Sequence, residues 1–303
     1  MRNSFTLEDI NKFGNIEMLA KQMVEGFITG LHKSPYHGFS VEFAEHRLYN
    51  NGESTRHIDW KLYAKTDRLY TKRYEEETNL RCQMVIDQSS SMYYPSENYG
   101  KMRFSVMAAA ALTYLLNKQR DAVGLHTFTD QLEIETPVKS SASHIHKLFL
   151  YYNELLNTPK KEKRTNVADI LHQLAKKVHR RSLVVLFSDM FDNNSNEAEI
   201  MSALQHLKHN KHEVLLFHVT DKRTEFEFEF EDRPYEFIDA ETNEKVKLNP
   251  AYIKKEFKQR MDNYYHDLYL KCAQLKIDMI EADINQGFEE ILNAYLIKRQ
   301  KMR

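Results

Sequence analysis

The 303-residue chain is short of cysteine, having only Cys82 and Cys272. Each stands in an apolar-periodic segment, so neither a disulfide framework nor a thiolate zinc site has support, and both read as core residues. No apolar run approaches the roughly 18 residues that a membrane-spanning helix needs. Met1-Arg2-Asn3-Ser4-Phe5-Thr6 leads into no signal-type apolar segment, so the cytoplasm is the expected compartment. An excess of charge is lacking too: 43 Lys and Arg face 44 Asp and Glu. That balance removes the global electrostatic argument for nucleic acid or an anionic membrane as partner. The P-loop pattern is absent, as is a G-x-S-x-G elbow with a designated histidine, so no catalytic residue is identified.

What the chain does have is a stretch around which the rest can be read, Cys82-Gln83-Met84-Val85-Ile86-Asp87-Gln88-Ser89-Ser90-Ser91-Met92. A short apolar run ends in a carboxylate, and hydroxyls follow at alternate positions, giving D-x-S-x-S. A strand entering a tight loop can aim Asp87, Ser89 and Ser91 at one point, and oxygen ligands of this kind suit magnesium. A serine-rich turn with no metal accounts for the same residues, because Asp and Ser favour turns on their own.

Around it the chain reads as alternating elements. From Thr6 to Leu31, Ile10, Phe13, Ile16, Leu19, Ala20, Met23, Phe27 and Ile28 recur every three or four positions, which predicts an amphipathic helix. Val41 to Leu80 is dense in charge and aromatics. Its part from Glu42 to Glu77 carries seven Lys/Arg and eight Asp/Glu. No positive field exists there to drive nucleic-acid binding, and a compact ion-paired subdomain is expected. Lys101 to Gln119 is apolar nearly all round, hence a buried helix. Ala122–Thr129 and Leu132–Val138 read as a hairpin-like pair. Helices follow from about Ser143 to Leu156 and from Val167 to Val178, joined through the charged loop Lys160-Lys161-Glu162-Lys163-Arg164.

Ser182 to Phe187 is an apolar strand that ends in Ser188-Asp189, as the earlier one ends in Asp87. A helix from about Glu197 to Leu207 and a strand Glu213–Val219 repeat the alternation. Such units imply an α/β fold with a mostly parallel sheet and helices on both faces. Ligands gather at the carboxyl ends of the strands in these sheets, where Asp87 and Asp189 both stand. From Glu225 to Leu248 the period changes to two, through Phe226, Phe228, Phe230, Tyr235 and Phe237. This predicts an antiparallel ribbon with Glu225, Glu227, Glu229 and Glu231 on its solvated side. A helix from about Pro250 to Leu275, a strand Ile277–Ala282 and a helix Gly287–Lys298 complete the chain. The expected division is residues 1–80 against 81–303, with the ribbon as an insertion at about 225–248. His206, His209 and His212 fall at three-residue intervals, but no cysteine or carboxylate completes a zinc set, and they read as helix-end histidines.

With Thr165 on a helix-entering loop and Asp189 after a core strand, the oxygen set becomes Asp87, Ser89, Ser91, Thr165 and Asp189. It resembles the metal-ion-dependent adhesion site of von Willebrand factor A domains. The flanking segments Gly38-Phe39-Ser40-Val41-Glu42-Phe43, Arg47-Leu48-Tyr49, Gly52-Glu53-Ser54-Thr55-Arg56-His57-Ile58-Asp59-Trp60 and Tyr74-Glu75-Glu76-Glu77-Thr78-Asn79-Leu80 resemble the bacterial family called domain of unknown function 58. Similarity continues through Asp121-Ala122-Val123-Gly124 and His212-Glu213-Val214. The family often has aspartate where Glu53 stands, a departure that keeps the charge.

The resemblance implies a von Willebrand factor A-like (Rossmann-like) domain that binds Mg2+, or Mn2+ or Ca2+, through those five residues. It also implies a partner protein whose acidic residue completes the metal shell. Proteins resembling this family are associated with MoxR-type AAA+ ATPases, which implies an adaptor between such a motor and its client. The expectation is therefore a non-enzymatic, cation-dependent protein-binding module. A magnesium-dependent hydrolase acting on a phosphate ester and a purely structural scaffold are the alternatives.

Overall fold

The computed structural model describes residues 15–32, 46–48, 60–72, 80–96, 100–157, 167–190, 197–239 and 244–301. The expected start of the first helix, most of the Val41–Leu80 segment and the Lys160–Arg164 loop lie outside these residues. The first described helix, α1 (Ile16–His32), opens where Asn15 Oδ1 accepts the amides of Glu17 and Met18 at 2.9 and 3.4 Å. Its buried side chains, Ile16, Leu19, Ala20, Met23, Val24 and Phe27, keep the predicted spacing of one apolar stripe. The chain divides into two compact units, Met1–Phe27 with Leu80–Arg303, and Ile28–Asn79. Of the described residues, 15–27 fall in the larger unit.

In the smaller unit β1 (His46–Leu48) pairs antiparallel with β2 (Tyr70–Lys72), Arg47 opposite Thr71. Between them runs the short helix α2 (Trp60–Thr66), on which Trp60 and Tyr63 meet edge to face with ring centroids 6.2 Å apart.

The larger unit is built on a six-stranded sheet. Its strands are β3 (Arg81–Asp87), β4 (Ala122–Phe128), β5 (Leu132–Glu135), β6 (Leu183–Ser188), β7 (Glu213–Thr220) and β10 (Asp278–Asp283), in spatial order β10-β7-β6-β3-β4-β5. Every pairing is parallel except β4 with β5 at the edge. The apolar runs in β3 and β6 follow from this: both strands are interior, so side chains on both faces are buried.

Helices cover both faces. The helix α3 (Gly100–Lys118) packs on β3, β4 and β7, and Ala108, Ala109, Ala110 and Ala111 let its backbone approach closely. Beside it lie α4 (Ala142–Asn157) and α8 (Glu289–Lys301). On the other face Val85, Val184, Leu186, Val214 and Leu216 form one core with α5 (Val167–Lys177), α6 (Glu197–His209) and the far end of the long helix α7 (Pro250–Gln274). Among the described residues no helix is long and apolar enough to cross a membrane.

The ribbon is shorter than the period-two pattern predicts. Among the described residues of this stretch, β8 (Tyr235–Ile238) and β9 (Lys245–Leu248) alone pair. Before them the chain makes one turn of π-helix, Lys222–Phe226, and Phe228 takes a left-handed backbone with φ 49°. Strict alternation fails because Phe228, Phe230, Tyr235, Phe237 and Phe257 of α7 converge on one aromatic cluster, a tertiary contact that period two does not report. Glu225, expected on the solvated stripe, is instead turned inward by the π-helix and largely buried.

Candidate functional site

Because β3 and β6 are neighbours in register, Ile86 opposite Phe187, the residues that follow them emerge side by side at the carboxyl edge of the sheet. Asp87, Ser89, Ser188 and Asp189 are all fully buried there. Asp87 Oδ1 accepts the Ser89 amide at 2.8 Å, which turns the chain sharply out of the strand. The Ser89 and Ser91 hydroxyl oxygens then stand 3.0 Å apart, on the entry to a 3-10 turn at Ser90–Tyr93. From the neighbouring strand the Ser188 hydroxyl donates to Asp87 Oδ2 at 2.6 Å, and its oxygen accepts the Met190 amide at 2.9 Å. Four of the five sequence-predicted residues, Asp87, Ser89, Ser91 and Asp189, are therefore on loops from adjacent strand ends. Thr165 lies outside the described residues.

Two charged residues that sequence reasoning did not assign to this place meet the set. Lys101, at the start of α3, is fully buried, and its ammonium donates to Asp189 Oδ2 at 2.8 Å and to Glu225 Oε1. A signal for it exists in the sequence. A lysine inside a helix that is apolar all round must be paired, since an isolated buried ammonium is too costly to keep. Glu225 carried no comparable signal.

The electrostatics follow from burial. Desolvation pushes the Asp87 carboxyl up to about 7, and the Asp189 charge adds to this; the hydrogen bonds from Ser188 and Ser89 oppose it. Burial alone would lower the Lys101 ammonium, but Asp189 and Glu225 hold it above its ordinary value. Burial raises Glu225 against the pull of Lys101. His218, on β7 beside Asp189 and Lys101, is driven by burial down to about 4 and is neutral.

Of the regularly spaced histidines, His206 and His212 do not converge. His206 Nδ1 sits 3.1 Å from His172 Nδ1 on α5, whereas His212 is buried elsewhere and its Nδ1 accepts the Ser182 amide at 3.4 Å. No group of three or more His, Cys, Asp or Glu among the described residues is arranged to hold a metal ion. Cys82 and Cys272 are free, buried thiols.

A parallel sheet in this strand order, with one antiparallel edge and an Asp-and-Ser loop at the carboxyl end of a central strand, defines a von Willebrand factor A-like α/β domain. The chain belongs to the family described as Protein of unknown function DUF58, whose family model matches residues 45–266. The uncharacterized proteins Rv1480 of Mycobacterium tuberculosis and Mb1516 of Mycobacterium bovis are each 26% identical over 208 residues, which is 69% of this chain. The match spans 64% of the length of those relatives. Among solved structures, the conserved hypothetical protein BatB from Bacteroides thetaiotaomicron is similar over 74% of this chain and 100% of its own, with 12% identity and a TM-score of 0.43. A von Willebrand factor type A structure from Catenulispora acidiphila is similar over 63% of this chain and 43% of its own, with 15% identity and a TM-score of 0.35. Proximal thread matrix protein 1 from the mussel byssus, with a zinc-occupied MIDAS motif, covers 46% of this chain and 38% of its own at 12% identity and a TM-score of 0.34.

Proposed function

We propose that this protein is a non-enzymatic binding module that uses a divalent cation at the carboxyl edge of its sheet to grip an acidic group of a partner protein. The observation that carries the reading is the pairing of two buried carboxylates, Asp87 and Asp189, with two hydroxyl oxygens 3.0 Å apart. Neighbouring ligands at right angles on magnesium, with bonds of 2.0–2.1 Å, stand about 3 Å apart, and the longer bonds of calcium would spread them further. The donor set is one that magnesium, manganese or calcium accepts, the ion taking the place of the hydrogen bond between the two hydroxyls. Asp87, Ser89, Ser91, Thr165 and Asp189 would hold the ion, which when bound supplies a Lewis-acidic position for an incoming carboxylate. Asp87 orients the Ser89 loop by accepting the Ser89 amide on Oδ1, and Ser188 fixes the Asp87 carboxylate by donating to Oδ2 from the next strand.

The partner in this reading is a MoxR-type AAA+ ATPase or its client, with the protein acting as adaptor in the cytoplasm. The experiment is to measure binding to the cognate MoxR-type ATPase in magnesium, in chelator, and with Ser89→Ala plus Ser91→Ala. Loss of the bridging ion should cost on the order of 2–5 kcal/mol. Equal affinity in the three conditions would eliminate the cation-bridged mechanism.

A further inference from the structure

We infer that Lys101 is a built-in cation that sets the charge, and with it the affinity, which this site presents to a divalent ion, and that Glu225 holds it in that role. The inference rests on the cation-binding reading above and names the regulation of the same site.

Lys101 is placed there by dedicated structure. Its amide donates to the Tyr94 carbonyl at 3.0 Å, an approach that leaves no room for a side chain on the preceding residue. A Cβ on Gly100, whose φ is +31°, would stand 2.1 Å from that same oxygen. Glycine is what lets the helix begin against the loop, with Lys101 aimed inward. Glu225 is held as firmly from the other side. Its Oε2 accepts the Asp221 amide at 2.8 Å, and Thr224 donates to Asp221 Oδ2 at 2.8 Å. Asn285 then ties Asp221 to Asp283 at 2.7 and 2.9 Å, so β7 and β10 both brace the turn.

Asp189 and Glu225 both meet the Lys101 ammonium, and Asp87 lies close enough to feel the Asp189 charge. Lys101 thus lowers the negative charge that these carboxylates offer to a divalent ion. Burying an ammonium is costly, and a chain that needed only a cation site would bind the ion more strongly without it. With Lys101 on Asp189, less negative charge reaches the cation, which keeps it attractive to a further carboxylate from outside.

Charge counting predicts an order of affinities, which can be read by titrating Mn2+ alone by calorimetry on the full chain. Lys101→Met removes one positive charge beside Asp189 and should bind Mn2+ at least about tenfold more tightly than wild type. Glu225→Gln removes one negative charge and should bind at least about fivefold more weakly. The double variant restores the wild-type net charge and should return to within about threefold of wild type. A folded Lys101→Met that binds Mn2+ no better than wild type would overturn the inference. If Lys101→Met does not fold, Glu225→Gln decides alone, and unchanged or tighter binding there overturns it equally. Wild-type protein that binds no Mn2+ would defeat the cation-binding reading itself, whereas wild-type binding with the wrong order of variants defeats only the role given to Lys101.

Discussion

A Cβ added to Gly124 would stand 2.5 Å from Oε1 of Gln83, the residue directly opposite it on β3. Gln83 cannot simply swing away, because it is buried and its amide is bonded to His126 Nδ1. Gly124→Ala is expected to destabilise the protein by about 1–3 kcal/mol through overpacking in a central strand pair. Urea denaturation measures this, and the loss should shrink when Gln83→Ala is added.

His126 is buried, which holds its imidazole down to about 4 although Glu135 opposes the shift. In the unfolded chain the same group titrates near 6.5. Between these values the unfolded state binds the proton and the folded state does not, so stability is lost as pH falls from about 6.5 to about 4. The contribution is on the order of 2–3 kcal/mol at the lower end. His218 titrates in the same direction. The stability of wild type minus that of His126→Gln, followed across this range, should therefore fall with pH; a flat difference would show that His126 is protonated in the folded state.

At Asp87 the pH dependence falls on cation binding. Its carboxyl is pushed up to about 7 by burial and by Asp189, so it is partly protonated near neutrality. A bound cation must displace that proton. Mn2+ affinity should rise by several-fold, up to about tenfold, between pH 6 and pH 8, and calorimetry in buffers of different ionisation enthalpy should show a proton released. Binding that is independent of pH would place Asp87 outside the cation's reach.

The hydroxyls of Thr113 on α3 and Tyr152 on α4 are hydrogen-bonded to each other at 2.8 Å, with both side chains fully buried. Removing either leaves the other unsatisfied. Tyr152→Phe and Thr113→Val are each expected to cost about 1–2 kcal/mol, and the double variant less than their sum, in a denaturation cycle.

The strands and helices of the sheet are legible in the chain because burial on two faces writes continuous apolar runs, and one-sided packing writes a three-to-four spacing. Asp87 and Asp189 are legible as carboxylates at strand ends for the same reason. What the pattern hides is any residue whose place is set by distant partners. Lys101 meets residues 88 and 124 positions further along the chain. Glu225 reads as one tooth of a Phe and Glu alternation until a π-turn rotates it inward. The all-round apolar helix says that Lys101 must be paired but not with what, and local period says nothing of Glu225, because the partners of both are distant in the chain.

The loop after Asp189 is moored to α7 as well as to β3. Met190, in a left-handed conformation, accepts the Tyr264 hydroxyl on its carbonyl at 2.8 Å. Four residues further along α7, Leu268 is sunk in the core, while the Pro250 end of the 25-residue helix lies fourteen residues the other way. The same helix carries Phe257, which packs on Phe228 of the aromatic cluster, seven residues before Tyr264. At 1.5 Å per residue about 10 Å of one helix therefore joins the turn after Asp189 to that cluster, so the sheet edge and the ribbon share a single rigid support.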